Sequence, residues 1–125
     1  MKVYSVATHS QGYYSEYLES AKKHNIDLII LGFGQKWGGF IWRFKLLIDA
    51  LKKLNKNEIV MFTDAYDVIF LTSNEEIEKK FKSFNTRILV GITKNKNRYN
   101  QYYCNLRANT FFCVSKILVQ LFDRA

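Results

Sequence analysis

Two aspartates, Asp64 and Asp67, stand with two residues between them at the end of the apolar run Ile59-Val60-Met61-Phe62-Thr63. That run reads as a buried β-strand, so both carboxylates are delivered to its end with apolar sequence on either side. Burying a carboxylate without a partner costs several kcal/mol, and a compensating group is expected. A hard divalent cation is one such group: Mg²⁺ or Mn²⁺ takes oxygen ligands and is often held by one or two carboxylates together with substrate phosphates. The same spacing also suits a local role, in which Asp64 caps a turn and Asp67 accepts from nearby backbone amides. Spacing alone leaves both open.

A second chemical feature is the basic run Lys94-Asn95-Lys96-Asn97-Arg98, followed by Tyr99, Tyr102 and Tyr103. Cations interleaved with aromatics can hold single-stranded nucleic acid, a nucleotide diphosphate or an acidic acceptor. The net charge of +8 gives this run less weight than it first suggests. Lys22, Lys23, Lys52, Lys53, Lys79, Lys80 and Lys82 fall in helical stretches, where they form solvated faces. The chain is also rich in Lys, Asn, Ile, Phe and Tyr and has no proline, a bias expected of an AT-rich genome. Two cysteines, Cys104 and Cys113, are too few for a disulfide framework or a four-ligand zinc site. His9 can approach the site from the first strand, and reads better as a polar loop histidine. His24 ends a helix, where positive charge suits the dipole.

These groups are positioned by an alternation of strand and helix over residues 1–125, a length that fits a single domain. Strands are expected at Val3 to Ala7, Ile26 to Leu31, Ile59 to Thr63, Ile88 to Ile92 and Thr110 to Val114. Helices are expected from about Gln11 to His24, over Ile41 to Leu51, after a Ser73-Asn-Glu-Glu76 capping box, and over Ser115 to Ala125. The loop Gly32-Phe-Gly34-Gln-Lys-Trp37-Gly38-Gly39 is rich in glycine. Such alternation gives an α/β fold with a mostly parallel sheet and helices on both faces, and the ligand sits beyond the carboxyl ends of the strands. Every unusual loop falls at such an end. Apolar surface is expected to stay exposed near the C-terminal elements. No apolar run is long enough to cross a membrane, and Met1-Lys2 leads directly into a strand pattern rather than a secretory leader. The expected location is cytoplasmic.

The segment Val60-Met-Phe-Thr63-Asp64-Ala-Tyr66-Asp67-Val-Ile-Phe70 resembles the Asp-X-X-Asp form of the glycosyltransferase metal motif. That form occurs in the glycosyltransferase domain of procollagen lysyl hydroxylases. Val6-Ala7-Thr8 is similar to that domain's first strand and its end. Leu31-Gly32-Phe-Gly34-Gln-Lys-Trp37 is similar to its Leu-Gly-X-Gly-X-X-Trp loop. Arg43-Phe-Lys45, followed by two leucines, looks like its lysine-bearing helix, and Glu75 to Phe81 like the helix after the metal motif. The likeness covers most of residues 3–93.

The resemblance implies a Rossmann-like nucleotide-sugar-binding sandwich of the GT-A type. It implies Mn²⁺ (or Mg²⁺) held by Asp64 and Asp67 and bridging the diphosphate of a UDP-sugar of the glucose or galactose class. Trp37 and Tyr66 would meet the uracil or ribose, Thr8 would stand at the nucleotide pocket, and Lys45 would reach the diphosphate. The acceptor implied is the hydroxylysine of a collagen-like protein. Read as bare residues, Trp37 also suits a cover for one end of the core, Tyr66 a turn aromatic and Lys45 a solvated helix face.

The chain corresponds to the N-terminal half of the family's domain, and the family's downstream metal-binding histidine and acceptor residues have no counterpart here. Asn105 to Cys113 is similar to the family's Leu-Asn-Ala/Ser-Gly-X-Phe-X-Gly strand, with Arg107 in place of Asn, and Asn109 and Cys113 in place of Gly. No catalytic residue is assigned. The competing expectation is a non-catalytic remnant or a basic nucleic-acid-binding module, although nucleic acid is not the expected partner. Nucleic-acid affinity would fall steeply with salt and ignore manganese, whereas nucleotide-sugar binding would do the reverse.

Overall fold

The computed structural model describes residues 1–90 and 117–121. The elements are β1 (Lys2–Val6), α1 (Tyr14–Lys23), β2 (Leu28–Leu31), α2 (Gly39–Leu51), β3 (Ile59–Thr63), α3 (Asn74–Ser83), β4 (Ile88–Val90) and β5 (Ile117–Leu121). They form one sheet in the order β2-β1-β3-β5-β4. β2, β1 and β3 are parallel neighbours, with Tyr4 opposite both Ile29 and Phe62. β5 runs antiparallel to β3 and to β4, so β4 keeps the direction of the first three strands.

Period-two alternation along the central strands separates two cores. Val3, Ile59 and Met61 point to one face and pack with Tyr14, Tyr17 and Ala21 of α1 and Phe81 of α3. Tyr4, Val6, Val60 and Phe62 point to the other face and pack with Leu47, Trp42 and Phe44 of α2. The result is the expected three-layer α/β sandwich. All five residues of β3 are buried, as a strand with neighbours on both edges and helices on both faces requires.

Local signals set the helix ends. Ser73 caps α3 by accepting from the Glu76 amide at 3.3 Å, one half of the capping box that the sequence suggests. α1 and α3 are each followed by an asparagine in the left-handed region, Asn25 at φ 53° and Asn85 at φ 46°. Asparagine tolerates that conformation better than most side chains, and it turns the chain toward the next strand.

The C-terminal expectation needs correcting. Ser115 to Ala125 is expected as a helix, yet Ile117–Leu121 is a strand lying between β3 and β4, with Val119 opposite both Met61 and Leu89. Ile-Leu-Val-Gln-Leu is too short and too uniformly apolar for periodicity to distinguish helix from strand. Two open strand edges then decide it, because a chain inserted there pairs its backbone on both sides. β4 matches the expected strand as far as Val90. The expected Thr110 to Val114 strand, the basic run Lys94 to Arg98 and both cysteines lie outside the described residues. Ile69, Leu71 and Phe84 are exposed around a groove beside α3 and β4. Among the described residues, no helix is long and apolar enough to cross a membrane.

Candidate functional site

After β1 the chain turns outward to β2, then returns to the opposite side of β1 as β3. Strand order therefore reverses between β1 and β3, the place where open α/β sheets leave a crevice at their carboxyl ends. Thr8 follows β1 and Asp64 follows β3, one on each side of that crevice. A cavity of about 430 Å³ opens there, and Thr8, Trp37, Arg43, Asp64, Tyr66 and Asp67 all line it. His9 and Gln11 complete the wall on the side of β1.

Asp64 is placed by the residue before it. Thr63 is buried, and its hydroxyl lies 2.5 Å from the Tyr17 hydroxyl of α1. Its carbonyl accepts from the Ser5 hydroxyl of β1 at 2.7 Å. The end of β3 is thus pinned from a helix and from the neighbouring strand. Burial pushes the Tyr17 hydroxyl up from 10.0 to about 12; the Asp64 charge acts in the same direction, and hydrogen bonds with Thr63 and Ser5 oppose it. Tyr17 therefore stays neutral beneath the site at any ordinary pH.

The Asp64 carboxylate accepts from an amino group of Arg43, which α2 brings across the cavity. The pair is partly shielded, with 17% of the arginine side chain and 29% of the aspartate exposed. The guanidinium also lies 4.7 Å above the centre of the Phe62 ring, a cation–π contact that fixes its plane. Its Nε is buried and has no hydrogen-bond partner among the described residues. Asp67 is exposed on the loop that follows.

Tyr66 joins the two lips of the crevice. Its hydroxyl accepts from the Thr8 amide at 3.1 Å and donates to the His9 carbonyl at 3.0 Å. Its own carbonyl accepts from the Tyr13 amide at 3.0 Å. A β-carbon at Gly12 would lie 2.9 Å from that carbonyl oxygen, and Gly12 has φ +54°, so close approach and backbone conformation both call for glycine. With its hydroxyl committed, Tyr66 presents only its ring to a ligand. Next to it, His9 Nδ1 lies 2.8 Å from the Thr8 hydroxyl and Nε2 lies 2.9 Å from Gln11 Oε1.

The glycine-rich loop forms the remaining wall. The Gly34 amide donates to the Thr8 carbonyl at 2.9 Å, tying the loop to the end of β1. Trp37 packs edge-on against Phe40 and Trp42, with centroids 5.8 and 5.6 Å away, and remains 48% exposed. It is a supported aromatic face at the cavity mouth.

Five of the six residues named from the sequence thus meet at one cavity: Thr8, Trp37, Asp64, Tyr66 and Asp67. Lys45 does not join them; it is exposed on α2 and absent from the cavity wall. The cation that α2 does supply is Arg43, which the sequence offered only as part of a motif. Helical spacing carries the signal: Arg43 lies one turn before buried Leu47, whereas Lys45 is two residues away, near the opposite side of the helix. His9, Gln11 and the Tyr17–Thr63 pair were likewise not named as site residues.

The donor set around the cavity is oxygen-rich and carries two carboxylates, which suits a hard cation rather than a soft one. Among the described residues there is no group of three or more His, Cys, Asp or Glu that could hold a metal.

Fold and cavity together define a Rossmann-like α/β domain of the GT-A type, with its site at the switch point of the sheet. The family described as the PLOD GT domain matches residues 1–111, and the chain belongs to that family of glycosyltransferase domains. It is 38% identical over 106 residues to a procollagen-lysine,2-oxoglutarate 5-dioxygenase of Drosophila melanogaster, covering 75% of this chain and 14% of that protein. It is 35% identical over 89 residues to a multifunctional procollagen lysine hydroxylase and glycosyltransferase of Caenorhabditis elegans, covering 63% and 12%. A similarly named protein of Rattus norvegicus is 35% identical over 97 residues, covering 70% and 13%. The chain therefore spans about one seventh of the length of these relatives.

Proposed function

We propose that this chain binds a UDP-sugar donor of the glucose or galactose class through a divalent cation, Mn²⁺ or Mg²⁺, held by Asp64 and Asp67. The observation that carries the proposal is the meeting of both carboxylates with Trp37, Thr8 and Tyr66 at one cavity on the switch point of the sheet. Trp37 offers an aromatic face to the uracil or ribose. Tyr66 holds Thr8 and the loop after β1 in place, so that the backbone near Thr8 forms a fixed wall of the nucleotide pocket. When bound, the cation would neutralise charge that builds on a departing diphosphate. Two of the relatives are named as procollagen lysine hydroxylase and glycosyltransferase, and by that analogy the proposed acceptor is a hydroxylysine of a collagen-like protein.

Thermal unfolding tests the donor site directly. Mn²⁺ and UDP together are expected to stabilise the fold more than the sum of their separate effects, because the cation bridges protein carboxylates and diphosphate. A ligand at about 100 times its dissociation constant contributes roughly 2.7 kcal/mol, a rise of several degrees for a domain of this size. Asp64→Asn and Asp67→Asn should each remove that rise. No shift in the wild-type chain at saturating UDP and Mn²⁺ would leave a remnant without donor binding.

A further inference from the structure

The ion pair at the cavity raises a problem that the carboxylates alone do not. Asp64 already has a cationic partner, and that partner is not free to leave. Arg43 is rooted on α2 one turn before buried Leu47, its guanidinium lies on the Phe62 ring, and only 17% of its side chain is exposed. A dication arriving at Asp64 must displace the guanidinium from the carboxylate while leaving it close by. Two positive groups would then share one anion, and Arg43 would face the cavity without its counter-ion. Its Nε already lacks a hydrogen-bond partner among the described residues, so the group has unmet donor capacity before any exchange.

We infer that Arg43 couples cation binding to diphosphate binding. It competes with the cation for Asp64, and it becomes a ligand of the diphosphate once the cation has taken its place. The inference rests on the donor-site proposal above and gives Arg43 the diphosphate contact expected of Lys45. The chemistry supports the exchange. A guanidinium presents its donors in a planar fork that matches phosphate oxygens, and it is always charged. A diphosphate bound to one dication keeps negative charge that a second cation can meet. A single cavity about 430 Å³ in volume has both Arg43 and Asp64 on its wall, so one ligand there meets both groups.

Opposite signs follow for the two ligands. Replacing Arg43 by glutamine removes the competitor, so Mn²⁺ alone should bind on the order of ten-fold more tightly. It also removes an anion ligand, so UDP in the presence of Mn²⁺ should bind on the order of ten-fold more weakly. With the affinity for UDP alone unchanged, the factor by which each ligand improves the other should fall on the order of ten-fold, since the binding cycle must close. Uridine lacks the diphosphate and should show no coupling in either protein.

Isothermal titration calorimetry of Mn²⁺, with and without UDP, on wild type, Arg43→Gln, Arg43→Lys and Asp64→Asn reads these quantities. Tighter binding of Mn²⁺ alone by Arg43→Gln is the decisive result, because damage to the fold or the cavity would weaken it. Arg43→Lys keeps the charge without the fork; it should retain the competition and lose part of the UDP affinity, and it serves if the glutamine variant does not fold. If Asp64→Asn abolishes Mn²⁺ binding while both Arg43 variants leave the coupling within two-fold of wild type, the role of Arg43 is overturned and the donor site stands. If Asp64→Asn leaves Mn²⁺ binding unchanged, the donor-site proposal fails and the inference falls with it.

Discussion

Replacing Tyr17 by phenylalanine tests how the end of β3, and with it Asp64, is held. The substitution removes one oxygen from a fully buried ring and leaves the Thr63 hydroxyl without the partner it has at 2.5 Å. A buried hydroxyl left unsatisfied costs about 1–3 kcal/mol, so the variant should be less stable by that amount at pH 8. The pH dependence is sharper than the magnitude. Tyr17 is raised from 10.0 to about 12 in the folded protein, so between those values the folded state keeps a proton that the unfolded state has lost. The unfolded state then binds fewer protons, and stability must fall as pH rises. The tyrosine's contribution is complete below pH 10 and declines above it, by about 1.4 kcal/mol at pH 11 and by at most about 2.7 kcal/mol once both states are ionised. Tyr4 and Tyr14 are also raised by burial, but both proteins contain them and their effect cancels in the difference. Urea unfolding at pH 8, 10 and 11 should show the gap between wild type and Tyr17→Phe narrowing by about 1.4 kcal/mol between pH 8 and pH 11, most of it over the last unit. A gap that stays constant from pH 8 to pH 11 would refute the buried, neutral hydroxyl.

Two further outcomes follow from the same geometry. Asp64→Asn in the absence of ligands should destabilise the fold by about 1 kcal/mol or less, since the pair with Arg43 is only partly shielded and the amide still accepts a hydrogen bond; denaturant midpoints measure it. Gly12→Ala should cost about 1–3 kcal/mol, from the left-handed backbone and from the contact with the Tyr66 carbonyl, and should also weaken the response to UDP and Mn²⁺ because the Tyr66 tether moves.

What could be read from the sequence was what neighbouring residues decide among themselves. Ile59 to Thr63 is apolar enough to be buried whatever surrounds it, and the two aspartates that follow are thereby set at the end of a buried strand. Ser73 carries its cap within three residues. What could not be read depends on distant partners. Ile117–Leu121 becomes a strand because β3 and β4 each offer it an edge, and the pairings of Ile59 with Leu121 and of Ile88 with Gln120 join residues 62 and 32 positions apart. Lys45 was preferred to Arg43 because a motif names residue types, whereas the direction of a helix face is settled by which side packs on Phe62 and Leu47. From the sequence, Tyr66 is placed at the uracil or ribose, with nothing to say where its hydroxyl bonds. That hydroxyl bonds backbone groups 57 and 58 residues earlier, which no local pattern contains.

Those long-range bonds bear on how the cavity can work. Thr63 fixes the backbone beneath Asp64, Tyr66 holds the loop after β1, and the Gly34 amide holds the glycine-rich loop to the same turn. Each wall of the cavity is therefore tied to the sheet or to another wall. Affinity is lost whenever a ligand must order the segments that receive it, and ties made within the protein remove that cost beforehand. What remains adjustable is the partner of Asp64, because the ion pair is made by two side chains whose backbones are held independently on β3 and α2. A site with fixed walls and one exchangeable ion pair concentrates the response to ligand in Arg43, and for that reason a single substitution there should change cation and diphosphate binding in opposite directions.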